Sequence, residues 1–265
     1  MHLFRNISFL FAFSVATCSY CFSQASAFSK PSHFNDLHTV YTYQKSNWDG
    51  SHASTIFLYV KDSVHLESFK WTEGDEWATL VSAEINWDTY AVRNFYNHRI
   101  LKSGDRKLIA ELKSTGKKLW FAVNGTPDSS MLDDAHWQSY DFDFAGLGFT
   151  WRALKDKTDP FSFLIADAAF TNNKLSFEGK GRVQVEYIGK ETINSKECLK
   201  YKIDGAGLQN KGGHIWIDPS TYMIELYRIE LPDEEGFVNG QLKLLKTEKL
   251  SPGEWEQFIA DKMSK

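Results

Sequence analysis

The chain has 265 residues, 30 Lys and Arg against 34 Asp and Glu, a formal net charge of −4 and 15% aromatic residues. That balance argues against nucleic acid or an anionic membrane surface as the main partner. The length is enough to bury a large core, as one sizeable β domain or two small ones.

Met1 to Asn6 is a short head carrying Arg5, and Ile7 to Ala16 is an apolar run without charge. Ala25-Ser26-Ala27 then offers the small residues that a signal peptidase reads. Residues 1–27 read as a secretory signal peptide, too short in its apolar part to span a bilayer, with cleavage near Ala27. A lipoprotein signal would use Cys18, but Thr17 stands where Gly or Ala is expected. The expected location is the periplasm or exterior of a bacterium. Cleavage leaves 238 residues, 29 basic against 34 acidic, with Cys198 the remaining cysteine. One cysteine makes no internal disulfide, so packing alone must stabilise the core. Cys198 sits on a predicted strand with no activating partner in view, and reads as a small strand side chain. No second apolar stretch reaches spanning length, so no transmembrane segment is expected in the mature chain.

Residues 28–265 read as one β-rich domain. His38–Gln44, Ser54–Lys61, Val64–Trp71, Ala78–Ile85 and Tyr90–Arg99 form a first series of strands, with Asn47-Trp48-Asp49-Gly50 and Asn86-Trp87-Asp88 among the turns. Arg106–Lys113 and Lys117–Val123 form a hairpin about Ser114-Thr115-Gly116. In it Leu108, Ala110 and Leu112 are expected on one face, as are Leu119, Phe121 and Val123.

Residues 126–177 read as a loop and helix insertion. Thr126–Asp134 is a polar loop, His136–Phe149 is crowded with aromatics, Asp159-Pro160 breaks the chain, and Phe161–Phe170 is an apolar run of undecided type. Short helices and loops here would lie over one mouth or face of the sheet and act as a cover.

A second series of strands follows: Arg182–Gly189, Glu197–Asp204, His214–Asp218, Tyr222–Leu231 and Phe237–Lys246. Leu199, Tyr201 and Ile203 alternate with polar residues, and Ile215 and Ile217 oppose Trp216. Gly212-Gly213 is expected to permit the reversal between two of these strands, because glycine accepts positive φ. Ser251-Pro252-Gly253-Glu254 then opens a helix, with Ser as N-cap, Pro at N1 and Glu at N3. Trp255, Phe258, Ile259 and Met263 form its apolar stripe, expected to dock on the barrel.

With no dividing linker and no repeat, the fold class is mainly β (α+β): a single strongly curved antiparallel sheet, or half-open β-barrel, with the central insertion and a C-terminal helix. Several strands look apolar on both faces. Phe57 and Tyr59 oppose Ile56, Leu58 and Val60, and Trp120 opposes Leu119 and Phe121. Such a sheet must be covered on both sides or wrap around something apolar. A cavity for a hydrophobic ligand and an ordinary aromatic-rich core both satisfy that pattern.

The segments GKGRVQVEYIG (179–189), KYKIDGAGLQNKGGHIWID (200–218) and ELYRIELPD (225–233) carry a resemblance. The chain resembles a family of secreted bacterial proteins related to the lipoprotein-localisation-factor (LolA/LolB-like) superfold, over roughly its last third. The resemblance implies a half-open antiparallel barrel, helices plugging its mouth and an apolar cavity that holds acyl chains. It supplies no diagnostic catalytic or binding residue.

Enzyme signatures are absent. No G-x-S-x-G elbow, P-loop, H-E-x-x-H or C-x-x-C stands in the mature chain, and its seven histidines show no paired ligand spacing. Asp133-Asp134-x-His136 and Asp141-x-Asp143 would suit a hard cation or acid–base pair, but also a solvated loop. His214, Trp216 and Asp218 share a strand face as a polar patch or a plain surface contact. No catalytic residue, metal site or cofactor is assigned. The leading expectation is a periplasmic binding or carrier protein for a hydrophobic, lipid-like ligand, held by apolar burial. Leu108, Leu119, Phe121, Tyr201, Ile203, Ile215 and Ile217 are its candidate lining residues, because they occupy the consistently apolar strand faces. Two further readings stay open: an envelope structural or assembly protein that binds a protein partner, and a hydrolase whose residues assemble from distant strands.

Overall fold

A computed structural model describes residues 27–264 except 73, 141, 172, 173, 233 and 234. The expected signal peptide, apart from Ala27, and Cys18 and Cys21 lie outside the described residues. The first strands are β1 (Thr39–Ser46), β2 (Ser54–Val60), β3 (His65–Lys70), β4 (Trp77–Asn86), β5 (Ala91–Leu101), β6 (Arg106–Thr115), β7 (Lys118–Val123) and β8 (Thr126–Met131). After a two-residue strand β9 (Trp137–Gln138) and helix α1 (Leu147–Ala153) come β10 (Phe161–Thr171), β11 (Lys174–Ile193), β12 (Lys196–Asp204), β13 (Gly213–Ile217), β14 (Ile224–Ile229), β15 (Gly240–Lys249) and helix α2 (Pro252–Met263).

All fifteen strands belong to one sheet, in the order β8-β7-β6-β5-β4-β3-β2-β1-β15-β14-β13-β12-β11-β10-β9. The chain runs outward along one wing, crosses between β8 and β9, and returns along the other wing until β15 pairs with β1. Every ladder is antiparallel except the short β9–β10 bridge, which is parallel. The sheet is strongly curved but unclosed. Cα atoms of β8 and β11 come within 8 Å, yet no ladder joins them.

Inside the curve lies the main core. Ile56, Leu58 and Val60 point into it from β2, while Phe57 and Tyr59 point outward beneath α2. This is the two-faced burial that the sequence pattern requires. α2 starts with the expected capping box: Ser251 Oγ accepts from Glu254 N–H at 3.4 Å, and Glu254 Oε2 accepts from Ser251 N–H at 2.7 Å. Trp255 stacks on Tyr59 at 5.0 Å and donates its indole N–H to Glu67 at 2.7 Å. α2 therefore covers the outer face of β1–β4 and leaves the interior untouched.

The loop and helix content expected of residues 126–177 is corrected. The polar loop at Thr126–Asp134 contains strand β8, the apolar run Phe161–Phe170 is strand β10, and only one seven-residue helix stands between them. Nor does the middle of this segment lie over the sheet as a cover. Trp137, Phe142, Phe144, Leu147, Phe149 and Trp151 are fully buried inside the curve. Trp151 packs on Tyr201 at 5.3 Å, and Phe144 on Tyr227 at 6.1 Å. A large sheet that cannot fill its own concavity with strand side chains alone is filled here by an internal stuffer of aromatics.

The stuffer is also anchored by polar groups. Arg152 pairs with Asp36, donates Nε–H to the Thr221 carbonyl at 2.8 Å, and shares Asp36 with the Tyr41 hydroxyl at 2.9 Å. Lys157 donates to the carbonyls of Trp151 and Arg152, satisfying orphan acceptors at the end of α1. Burial pulls the Lys157 ammonium down to about 8.

The Gly212-Gly213 expectation is corrected as well. The reversal between β12 and β13 runs through a 3-10 turn at Ala206–Leu208, and its left-handed residues are Gly205, Gln209 and Asn210. Gly212 and Gly213 serve another need. A Cβ on Gly212 would stand 2.0 Å from the Ile203 carbonyl oxygen, and one on Gly213 2.1 Å from that of Arg228. They are glycines because three backbones converge there.

Candidate functional site: an apolar cavity between the two wings

Tight filling stops on one side of the interior. A cavity of about 270 Å³ lies between β3–β7 and the β10–β11 hairpin. Val81, Phe95, Ile109, Leu112, Phe121 and Phe177 give it apolar walls. Lys70, Thr79, Asn97, Ser139 and Ser176 add polar groups, and Glu111 is the only carboxylate among the described lining residues.

Each wall follows from local structure. β4 alternates, so Thr79 and Val81 face inward while Ala78 and Leu80 face α2. Across the seam, Phe121 on β7 meets Phe177 on β11 with ring centroids 6.3 Å apart. Trp137 backs Phe177 edge-on at 5.8 Å, and Phe142 backs Phe95 at 5.8 Å. The aromatic stuffer thus ends as one wall of the space.

A polar node closes one end. Lys70 Nζ stands 2.5 Å from Asp143 Oδ2, and Lys45 Nζ 3.6 Å from Oδ1 of the same buried carboxylate. Asp143 and Phe144 both hold left-handed φ of 52°, which costs non-glycine residues on the order of 1–3 kcal/mol each. Ser139 Oγ–H donates to Asp167 at 2.6 Å, and the Tyr140 N–H at 3.1 Å, tying this irregular segment to β10. The hydrogen bonds and ion pairs hold a strained turn in place and shape the cavity end.

Of the seven sequence-derived candidates, Phe121 lines the cavity. Leu119, two residues earlier on the same face, is fully buried in the main core. Tyr201, Ile203, Ile215 and Ile217 are buried on the other wing, where Tyr201 donates its hydroxyl to the Lys157 carbonyl at 2.8 Å. These four belong to the filled half of the interior. Leu108 is 45% exposed. The cause is a β-bulge: Asn97 pairs with Ala110 but His98 with Leu108, leaving Ile109 as an extra residue. The bulge resets the alternation, so Ile109 and Ala110 reach the cavity and Leu108 faces out, not inward with Ala110 and Leu112 as its spacing suggests. Val81, Phe95, Ile109 and Leu112 also line it, and nothing in a single strand marks which part of the sheet lies opposite a void.

The polar clusters singled out in the sequence do not assemble. Asp134 accepts from the His136 N–H at 3.0 Å and pairs with Arg182, whereas Asp143 joins the interior node. Asp141 lies outside the described residues. Burial pushes the His136 imidazole down to about 4, among Phe28, Tyr90, Phe161 and Phe163. Among the described residues no three His, Cys, Asp or Glu are grouped to hold a metal. His214 and Trp216 touch at 5.9 Å, but Asp218 turns to Lys196 at 3.0 Å. Cys198 is buried and free, and burial pushes its thiol up to about 11. Among the described residues no helix is long and apolar enough to cross a membrane.

No family model and no curated protein matches the chain. Among solved structures it is similar to the Mycobacterium tuberculosis lipoprotein LppX, at 12% identity over 81% of this chain and 88% of that one, with a TM-score of 0.23. A Bacteroides fragilis protein with a YmcC-like fold shows 13% identity, 84% and 100% coverage and a TM-score of 0.29. A Vibrio parahaemolyticus domain named for outer-membrane lipoprotein sorting shows 9% identity, 84% and 90% coverage and a TM-score of 0.21. Superpositions this loose assign neither fold nor function.

Proposed function

We propose that the protein binds and carries a hydrophobic, lipid-like molecule in the bacterial envelope, with the cavity between β3–β7 and β10–β11 as its binding site. One observation carries this reading. An interior otherwise packed with buried aromatics leaves about 270 Å³ open, walled by Val81, Phe95, Leu112, Phe121 and Phe177. Natural cores close voids of that size, because unfilled apolar space forfeits dispersion contacts and destabilises the fold. A space retained against that cost, with apolar walls and a few polar groups at its ends, has the make-up of a ligand pocket. Burial of apolar surface supplies the affinity, and no directional chemistry is required.

The hydrolase reading gains no support here: no histidine is among the described lining residues, and Glu111 is the only carboxylate among them. The partner-binding reading rests on Trp120 and Met131, which are exposed on the outer face of β7 and β8. Native mass spectrometry of the purified full-length protein, followed by solvent extraction, tests the carrier reading. The expected result is a bound apolar species of one ligand per chain that the extraction recovers. Ligand-free protein that also takes up no apolar molecule on titration would contradict it.

A further inference from the structure

The inner face of the sheet continues past the cavity, and its composition changes there. Asn97 and Thr79 line the cavity. Two residues further along the same face of β5 comes Arg99, two residues back along β4 comes Trp77, and the β6 residue paired with Arg99 is Lys107. Leu101 pairs with Trp77 one step beyond. These side chains share the inward face but are exposed, Trp77 by 43%. Arg99 is the direct ladder partner of the cavity-lining Thr79, so these exposed side chains form a rim beside the cavity.

Two cations face each other across that rim. Arg99 and Lys107 are directly opposed in the ladder, an arrangement in which like charges destabilise a sheet. Neither forms an ion pair with a described carboxylate. Arg99 instead lies over the Trp77 ring, 4.2 Å from its centroid. Glu111, the carboxylate among the described lining residues, makes no ion pair with either cation. Nearby Lys102 has Glu76 at 3.9 Å, so among the described carboxylates none pairs with Arg99 or Lys107.

We infer that Arg99 and Lys107 bind the anionic headgroup of a single-chain amphiphile whose apolar tail occupies the cavity. This deepens the carrier reading and rests on it. A carboxylate or phosphate between the two cations relieves their repulsion and gains charge-assisted hydrogen bonds. Trp77 covers the Arg99 side and supplies an amphipathic ring at the boundary between wet head and dry tail. The volume of about 270 Å³ is space for one short chain rather than two.

Titrations of the full-length protein with dodecanoate, dodecyl phosphate and dodecanol separate the inference from the reading beneath it. The wild type should bind both anions about tenfold more tightly than the alcohol, with the difference shrinking as salt rises. In the R99Q/K107Q double variant the preference should vanish while dodecanol affinity stays unchanged, which also shows that the variant is folded. Equal affinity of the wild type for charged and neutral chains would overturn the headgroup assignment and leave the carrier reading standing. Failure of all three to bind would overturn both. Inorganic phosphate carries charge without a chain and should compete only weakly. Competition as strong as that of dodecyl phosphate would make the rim a free-anion site and overturn the amphiphile.

Discussion

Phe121 on β7 and Phe177 on β11 approach to 6.3 Å between ring centroids, although eleven steps of strand order separate the two strands. The contact bridges two wings that no hydrogen-bonded ladder connects. It therefore closes the concavity by side chains alone, and the space on its inner side is the cavity. Phe121→Ala should remove both a wall and the bridge. The expected cost is about 3 kcal/mol, near the lower end for buried Phe truncations because the site already adjoins a void. Urea unfolding measures the cost, and apolar-ligand titration should show weakened binding in the same variant.

Ile203→Ala provides the contrasting case. Ile203 is fully buried in the filled wing, so its truncation should cost about 2–5 kcal/mol. Ligand affinity should stay within about twofold of wild type at temperatures where the variant is folded. Affinity lost in step with that of Phe121→Ala would move the site to the wing where sequence reasoning placed most of its candidates.

Arg152 and Asp36 form a buried ion pair beneath the stuffer segment. Arg152→Met would leave the Asp36 carboxylate buried with only the Tyr41 hydroxyl. Breaking one side of such a pair costs about 3–5 kcal/mol. Joint replacement, R152M with D36N, should recover part of that loss, as chemical denaturation of the three variants would show.

Stability should also fall with mild acid because of His136. Burial lowers its folded pKa to about 4 from 6.5. As pH drops through 6.5 the unfolded chain takes up a proton that the folded state refuses, so stability declines from there and levels off below pH 4. The full loss is about 3 kcal/mol. Asp134, also held below its ordinary value by the His136 backbone N–H and Arg182, contributes with the same sign below about pH 4. His136→Phe should flatten the decline between pH 6.5 and 4 in urea midpoints, and an undiminished slope would place its origin elsewhere.

Gly213→Ala should disrupt the β12–β13–β14 meander, since the added Cβ meets the Arg228 carbonyl oxygen at 2.1 Å. The variant should lose several kcal/mol or fail to accumulate. Gly116→Ala, at a tip with open space around it, should cost only its left-handed φ of 61°, about 1 kcal/mol. Thermal unfolding of the pair checks the order.

Much of the sheet is legible in the sequence because half-buried strands must alternate. Tyr201 and Ile203 on β12, and Phe57 against Leu58 on β2, point where the pattern says. Leu108 does not, because a bulge at Ile109 shifts the phase and no residue type there announces it. Phe161–Phe170 is ambiguous in the sequence because Phe163 to Asp167 are buried on both faces of β10, which erases alternation. The cavity was the least legible feature. It exists because β10–β11 stands opposite β5–β7, a relation between residues about 60 positions apart. Two of the three segments that carry the resemblance, 200–218 and 225–233, lie on β12–β14 in the packed wing, away from the opening.

Filling the cavity tests whether it is the binding site. Ala110 lines it between Ile109 and Leu112, and Ala110→Trp would place an indole in the open volume. Binding of a fluorescent single-chain fatty-acid probe to wild type and variant, with circular dichroism to confirm the fold, is the measurement. One probe per wild-type chain is expected, with at least about a tenfold loss of affinity in folded Ala110→Trp. Unchanged affinity in the folded variant would contradict the assignment of this cavity as the binding site.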